Sequence, residues 1–303
     1  MLLTPALKRR IGCHTFRAKG ITDYLKNGGR IGVAQRMAGH SNANTMGLYD
    51  GRNDDVNLDE VERIQILVAE EGSMKGTEVF GVLNAIGATH LHHANSVTTS
   101  CTFLEQGGLA SRGFVECHGL SQTPQYSDGD DKKYGIWDRI FLDYVDIHYR
   151  GGRVKGPNQY GPALFVLDLG FLAGLPAGFE VLVTKKNPVN WRDNEPDSER
   201  WFEGVGELAA GIKFGEFGKM LVIKTPSGRL EFPKGEAEIF LDDPKRQVSS
   251  GEGGYAYAEK RLRAAAAVGK IKVSIKVHGC RSDCSCVERY AKYSTPQMDF
   301  WFT

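Results

Sequence analysis

Apolar residues recur along the second half of the chain in short runs that are typical of β-strands. The five runs lie at 163–169, 180–183, 219–223, 237–241 and 271–277. In the last run Val273, Ile275 and Val277 alternate with polar residues, which predicts a strand buried on one face. The alanine-rich stretch Tyr255–Val268 stops at Gly269 and predicts a helix. This part of the chain is therefore predicted to be an α+β domain.

The beginning of the chain has a helical pattern instead. Residues 14–26 predict a helix that ends at Asn27-Gly28-Gly29, and residues 31–38 predict a second helix that ends at the next glycine. Further on, Asn57 with Glu60 three residues later is the pattern of a capped helix start. We therefore predict an all-α segment.

The boundary between the two patterns is predicted near residue 70. Glu70-Glu71-Gly72-Ser73 resembles a linker, and Met74 follows it directly. We expect a two-part chain, in which residues 1–69 form the all-α part, 70–75 the linker and 76–303 an α+β domain. The chain would then be a fusion.

Charge is uneven along the chain, although the net charge is only +1 at pH 7. Residues 1–50 contain eight lysines and arginines but only two acidic residues, and such a local excess suits a surface beside nucleic acid. The six cysteines lack the spacing of a disulfide framework, which indicates a reducing compartment. No apolar run is long enough for a transmembrane helix. These features predict a cytoplasmic protein with no membrane partner.

Two groups of polar residues in the first part point to phosphodiester chemistry. His14 and Arg17 stand three residues apart, so they share one face of the predicted helix. His40 follows a glycine turn, and Tyr49 comes nine residues later. A guanidinium for the phosphate, two imidazoles for proton transfer and a phenol as nucleophile are the groups that a tyrosine-mediated DNA strand transfer needs.

These residues resemble the H-x-x-R and G-H-S…T…Y boxes of the tyrosine recombinases (phage integrases), over about residues 1–67. The resemblance implies that Tyr49 attacks a DNA phosphodiester, that no cofactor is needed, and that the transition state is stabilised by Arg17, His14 and His40. The family's first arginine, its hairpin lysine and its DNA-clamping domain have no counterpart before His14. We therefore expect a carboxy-terminal fragment of a recombinase catalytic domain that is inactive alone. Its partners would be DNA and a complete recombinase or a second copy of the chain.

The second part carries a different set of polar residues. His92 and Asn95 lie near a predicted strand end. A Gly107-Gly108 turn leads to Arg112, and Glu238 lies at the start of an apolar strand. Imidazole and amide groups can hold ribose and carboxamide groups, and an arginine can bind a pyrophosphate. A carboxylate can stabilise the cation that remains when nicotinamide leaves. The set predicts a dinucleotide site.

Over about residues 88–242 this set is similar to the ADP-ribosyltransferases, most nearly to the toxins that modify DNA. The resemblance implies an NAD-dependent transferase in which His92, Asn95 and Arg112 bind NAD and Glu238 is catalytic. His93 and Glu236 compete for two of these roles. Residues 74–303 would then carry the enzyme, with the recombinase-like part as a passenger or a DNA tether. A third hypothesis is a non-catalytic fusion left by the rearrangement of a mobile element.

Three groups of possible metal ligands also occur in the second part. They are His90, His92 and His93; His278, Cys280, Cys284 and Cys286; and Asp138, Asp143, Asp146 and His148. The first group lacks a Glu-x-x-His or Cys-x-x-Cys partner, the second is too compact for an ordinary tetrahedral site, and the third fits no single face of a helix or strand. We therefore expect no metal site.

Overall fold

The computed structural model describes residues 72–146, 157–216, 218–279 and 284–303. Backbone contacts divide the chain into two units, Met1–Val68 and Ala69–Thr303, and every described residue belongs to the second. Some residues considered above lie outside the described ranges: His14, Arg17, His40, Tyr49, His148 and Cys280.

The described part of the chain alternates between strands and mostly short helices. The strands are β1 His90–Asn95, β2 Gly108–Ala110, β3 Arg139–Asp143, β4 Ala163–Asp168, β5 Glu180–Val183, β6 Met220–Lys224, β7 Arg229–Glu231, β8 Glu236–Leu241 and β9 Lys272–Val277. The α-helices are α1 Gly76–Ala85, α2 Val97–Glu105, α3 Arg112–Cys117, α4 Asp128–Lys133, α5 Asp197–Arg200, α6 Val205–Gly211, α7 Gly254–Val268, α8 Cys286–Ala291 and α9 Thr295–Phe302. Short 3₁₀ turns occupy Leu169–Gly174, Pro188–Asn190 and Pro233–Gly235. Among these helices, none has both the length and the apolar character needed to cross a bilayer.

Seven of the strands form one mixed sheet in the order β5-β6-β3-β1-β4-β8-β9. Neighbouring strands are antiparallel, except that β8 and β9 are parallel and are connected through α7. A parallel pair needs a long crossover, and a helix is its usual form. β2 and β7 pair separately as a two-stranded sheet. The fold is therefore α/β.

The predicted fold class, an all-α recombinase fragment followed by an α+β domain, is wrong. The protein is an α/β protein built on the seven-stranded mixed sheet. The five apolar runs are strands, each within one residue of its predicted ends, and α7 matches the predicted helix. The alternation of helices and strands escaped prediction because β1 is rich in histidine and α2 is rich in threonine. Neither segment has the apolar pattern by which we recognised the other elements.

One face of the sheet is covered by helices and forms the core. Leu91, Phe165 and Ile239, from three neighbouring strands, are each at most 1 % exposed. Phe103 of α2 contacts Phe165 with ring centroids 6.0 Å apart, which places α2 on this face. α7 packs on α2, and α9 packs on both. Burying each such large apolar side chain contributes about 1.5–3 kcal/mol.

The opposite face carries His92 of β1 and Glu238 of β8, whereas His93 and Asn95 share the face of Leu91. His92 is paired with Val166, and Val166 is paired with Glu238, so the three residues form one row across β1, β4 and β8. Paired residues of neighbouring strands point to the same side of a sheet. The side chains of His92 and Glu238 therefore lie on one face, with backbones about 10 Å apart, or two strand spacings.

Met74, near the start of the described residues, pairs with the edge strand β5. The Met74 N–H donates to the Val181 carbonyl at 2.8 Å, and the Val181 N–H donates back at 3.2 Å. The Met74 side chain is buried in the core. Met74 is therefore part of the edge beside β5.

Candidate functional site

A cleft lies where β1 and β3 separate. β1 pairs with β4 along all six of its residues but with β3 only at His92, opposite Asp143. Beyond this pair the His93 side chain bridges the gap, because its Nδ1 donates to the Phe141 carbonyl at 2.7 Å. Side chains thus fill a space that a hydrogen-bond ladder would otherwise close.

The cleft is narrow. Its volume is about 70 Å³, which holds roughly five water molecules at about 15 Å³ each. Ligand pockets for whole small molecules are commonly about 300–1,000 Å³. Besides β1 and β3, its walls come from α2, from the segment between α3 and α4, and from the loop after β5. A ligand larger than a single ring must therefore extend out of the cleft.

Two adjacent histidines of β1 reach the cleft. Burial lowers the pKa of both imidazoles, and that of His92 falls to about 4, so both rings are neutral at pH 7. The Phe141 carbonyl accepts a hydrogen bond from His93 Nδ1–H, which leaves His93 Nε2 as an acceptor. The Nδ1 atom of His92 is buried without a hydrogen bond. These two side chains therefore present uncharged polar groups to the cleft, which suit amides and hydroxyls.

Asn95 ends β1 and is held from several sides. Its Oδ1 accepts the Ser96 N–H at 3.0 Å and Gln125 Nε2 at 3.3 Å, and its Nδ2 lies 3.5 Å from His93 Nε2. Gly161, with φ +142°, packs on its backbone so closely that a Cβ there would lie 2.1 Å from the Asn95 carbonyl carbon. Only glycine fits that approach. The protein thus orients Asn95 by itself.

Arg112, at the start of α3, lines the cleft but is bound within the protein. Its Nε lies 2.7 Å from Asp128 Oδ1, and its NH2 donates to Asp128 Oδ2 at 2.8 Å and to the Thr123 carbonyl at 3.1 Å. Its guanidinium also lies 5.3 Å from the centre of the Trp137 ring. In this arrangement Arg112 anchors the segment between α3 and α4, and a pyrophosphate would have to compete with Asp128.

The two glycines that precede Arg112 have backbone roles. Gly107 has φ +74°, which lets the chain turn from α2 into β2. A Cβ on Gly108 would lie 2.4 Å from the Leu230 carbonyl oxygen of β7. Neither glycine lines the cleft.

We expect Arg112→Ala to lower the free energy of unfolding by about 2–4 kcal/mol, because it leaves the largely buried Asp128 carboxylate without its cation. Lys132→Ala removes an exposed ion pair with Glu116 and a contact with the Trp137 ring, and it should cost much less. Urea unfolding of both variants measures the difference. Equal losses would mean that the Arg112–Asp128 pair does not stabilise the fold.

Three residues of the cleft were not among the sequence candidates. Burial, and then the neighbouring Asp128, raise the pKa of Asp131 to about 7. Burial raises the pKa of Tyr160 to about 12. Arg139 is the first residue of β3. Arg139 had a signal that could have been used, since it opens a strand as Glu236 does, whereas Asp131 belongs to a run of acids that resembles a solvated surface.

Glu238 lines a second cavity, of about 370 Å³, whose walls also include His92. Glu238 is paired with Lys276, whose ammonium lies 5.7 Å from the centre of the Phe240 ring. The competing carboxylate, Glu236, is paired with Lys272 at 2.9 Å and lines neither cavity. The geometry therefore favours Glu238 over Glu236.

Within the described ranges, no three His, Cys, Asp or Glu side chains are arranged to hold a metal ion. His278 is buried, and its Nε2 lies 2.7 Å from Asp146 Oδ2. The described cysteines are all free thiols.

Comparison with known proteins assigns no family to this chain. No protein-family model matches it, and no curated protein has a significant match to its sequence. The cleft and the sequence motifs are therefore the basis for any statement about its function.

Proposed function

We propose that residues 74–303 catalyse NAD-dependent ADP-ribosyl transfer. One observation carries this proposal: His92, Asn95 and Arg112 line a single cleft, and Glu238 lines a cavity that shares His92 with it. These four residues were chosen from the sequence alone, and 146 positions separate the first from the last. Their meeting at two adjoining cavities supports a common role.

The cleft suits the nicotinamide end of the dinucleotide. Phe141, two residues from the Asp143 that pairs with His92, shares the face of His92 and offers an apolar wall to the ring, and the carboxamide can bind His92 Nδ1, which is buried without a hydrogen bond. The two neutral imidazoles do not oppose positive charge on the substrate. This match concerns one ring, in agreement with the small volume of the cleft.

In the proposed reaction the bond between nicotinamide and ribose C1′ breaks, and nicotinamide leaves with the bonding electron pair. The ribose becomes a cation, and the Glu238 carboxylate stabilises it from the face of the sheet that also carries His92. A nucleophilic atom of the acceptor then bonds to C1′ and loses its proton. Glu238, at the larger cavity, is the candidate to receive that proton.

The test is nicotinamide release from NAD⁺ by the full-length chain, alone and with single-stranded DNA or protein as acceptor. A Glu238→Gln preparation purified in parallel controls for contaminating hydrolases. Release that requires Glu238 supports the proposal, and the acceptor that carries the product identifies the substrate. Equal, background release by both preparations with every acceptor would refute it.

A second candidate function, DNA strand transfer, rests on the motif residues His14, Arg17, His40 and Tyr49. A site formed by these four residues alone lacks the family's first arginine and hairpin lysine and is expected to give no covalent adduct with a suicide DNA substrate, since loss of one preorganised charge-stabilising group costs about 10²–10³ in rate. The measurement is a gel assay that compares wild type with Tyr49→Phe. An adduct formed by wild type and absent from Tyr49→Phe would establish intrinsic recombinase chemistry.

A further inference from the structure

We infer that Tyr126 is an aromatic platform at the mouth of the cleft, on which the planar base of a nucleotide ligand stacks. This deepens the proposed function by adding a ligand contact, and it rests on that function only in assuming that the ligand is a nucleotide. The supporting observations are the position of Tyr126, the rigidity of its segment, its neighbour Tyr160 and the size of the cleft.

Tyr126 lies beside the cleft and is exposed. Gln125 and Ser127, on either side of it, both line the cleft. Tyr126 itself is 72 % exposed, the largest fraction for any large apolar side chain among the described residues. A buried aromatic ring removes about 150–250 Å² from water, so leaving one uncovered forgoes a large gain. An uncovered ring at a cleft mouth is available to a ligand.

The segment that carries Tyr126 is tied to the protein on both sides. The Thr123 N–H donates to Thr99 Oγ1 at 2.9 Å, and Thr123 Oγ1 lies 2.5 Å from Ser96 Oγ. The Gln125 N–H donates to Asp128 Oδ2 at 3.0 Å. Asp128 is in turn held by Arg112, as described above. Because these bonds fix the backbone around Tyr126, the protein would lose little conformational entropy when a base stacks on its ring.

A second tyrosine lies close by. Tyr160 lines the cleft, and the Tyr126 phenol adds slightly to the effect of burial in raising the pKa of Tyr160. Tyr160 thus offers a second aromatic ring in the wall of the cleft. Aromatic rings bind bases of any sequence, because every base has a π-face.

The cleft is too small to hold a nucleotide base in addition to one other ring. At about 70 Å³ the cleft can enclose one ring of a dinucleotide, and the rest of the molecule has to pass its mouth. The base on Tyr126 could come from two sources, the adenine of NAD⁺ or a base of a nucleic-acid acceptor. Both present the same chemistry, and the two arms of the experiment separate them.

In the first arm, calorimetry measures the binding of NAD⁺ and of nicotinamide mononucleotide, which lacks adenine, to the full-length chain. Stacking is worth about 1–3 kcal/mol per base, which corresponds to a roughly 5- to 150-fold change in affinity. If the base is adenine, Tyr126→Ala weakens NAD⁺ binding by such a factor and leaves the mononucleotide unaffected. Tyr126→Phe, which keeps the ring, retains wild-type affinity.

In the second arm, the same variants bind a fluorescent single-stranded oligonucleotide, and its dissociation constant rises in Tyr126→Ala if the base belongs to an acceptor. Phe300→Ala is the control, because Phe300 is an exposed ring of α9, 45 % exposed, that lines neither cavity. The inference is overturned if Tyr126→Ala binds both ligands within twofold of wild type. It is also overturned if Phe300→Ala loses as much affinity or if wild type binds neither ligand.

These outcomes are separate from those of the proposed function. If ligand binding depends on Tyr126 but no turnover depends on Glu238, the transferase proposal is rejected and the stacking role of Tyr126 stands. If turnover depends on Glu238 but Tyr126→Ala binds its ligands as wild type does, the transferase proposal stands and the stacking role of Tyr126 is rejected.

Discussion

Glu238→Gln is expected to lower kcat for nicotinamide release at least about 100-fold, and Glu236→Gln to leave kcat within about twofold. Removing one group that stabilises developing charge typically costs about 10²–10³ in rate. Only Glu238 lines the cavity that shares His92 with the cleft. Glutamine keeps the shape of glutamate and can still donate or accept hydrogen bonds, but it cannot stabilise a cation by charge.

The pair of variants is well matched. Both carboxylates lie on the same face of β8, two residues apart, and each forms an ion pair with a lysine of β9. Steady-state rates at saturating NAD⁺, with calorimetric binding to verify that both variants still take up NAD⁺, provide the measurement. Equal losses in the two variants, or a loss that appears only in KM, would contradict a role for Glu238 in stabilising the ribosyl cation.

Acidification is expected to destabilise the protein through His92. An unfolded histidine takes up its proton near pH 6.5, whereas His92 in the folded protein does so only at about pH 4. Above pH 6.5 neither state is protonated there, so His92 adds no pH dependence. Between pH 6.5 and 4 the unfolded state binds more protons, and stability falls as the pH falls, by up to about 3 kcal/mol.

His92→Asn removes this contribution. Urea unfolding at pH 7, 5.5 and 4.5 should therefore show a smaller loss of stability on acidification in the variant than in wild type. His93 remains and continues to contribute, since burial lowers its pKa as well. If His92→Asn keeps the wild-type dependence, His92 is not held in its neutral form by the fold.

The strands were predictable where burial dictated apolar residues. β6 and β8 lie between two neighbours, β5 lies at the edge beside Met74, and apolar runs rich in valine, leucine and isoleucine marked all three. β1 was not recognised as a central strand, because its exposed face and its cleft end carry histidine and asparagine. Helices such as α3 and α4 have only six residues each, too few for a helical period to be recognised.

The site residues were predictable as chemical groups but not as partners. His92 and Asn95 were found because a polar cluster near a strand end is unusual. The Arg112–Asp128 ion pair forms because the segment after α3 folds back toward Arg112. No local sequence pattern predicts that path of the chain. Arg139 and Asp131 reach the cleft for the same reason, through tertiary packing across elements.

The single pairing between β1 and β3 also has a mechanical consequence. The sheet consists of two half-sheets, β5-β6-β3 and β1-β4-β8-β9, and the His92–Asp143 position is the one ladder pair that joins them. Rotation about this hinge widens or narrows the gap without breaking either ladder. The rotation is resisted by the His93–Phe141 hydrogen bond across the gap and by the hydrophobic core beneath, where Leu91 of β1 and Leu142 of β3 belong to one cluster. The stiffness of that core, remote from any ligand, thus governs how far the gap can open.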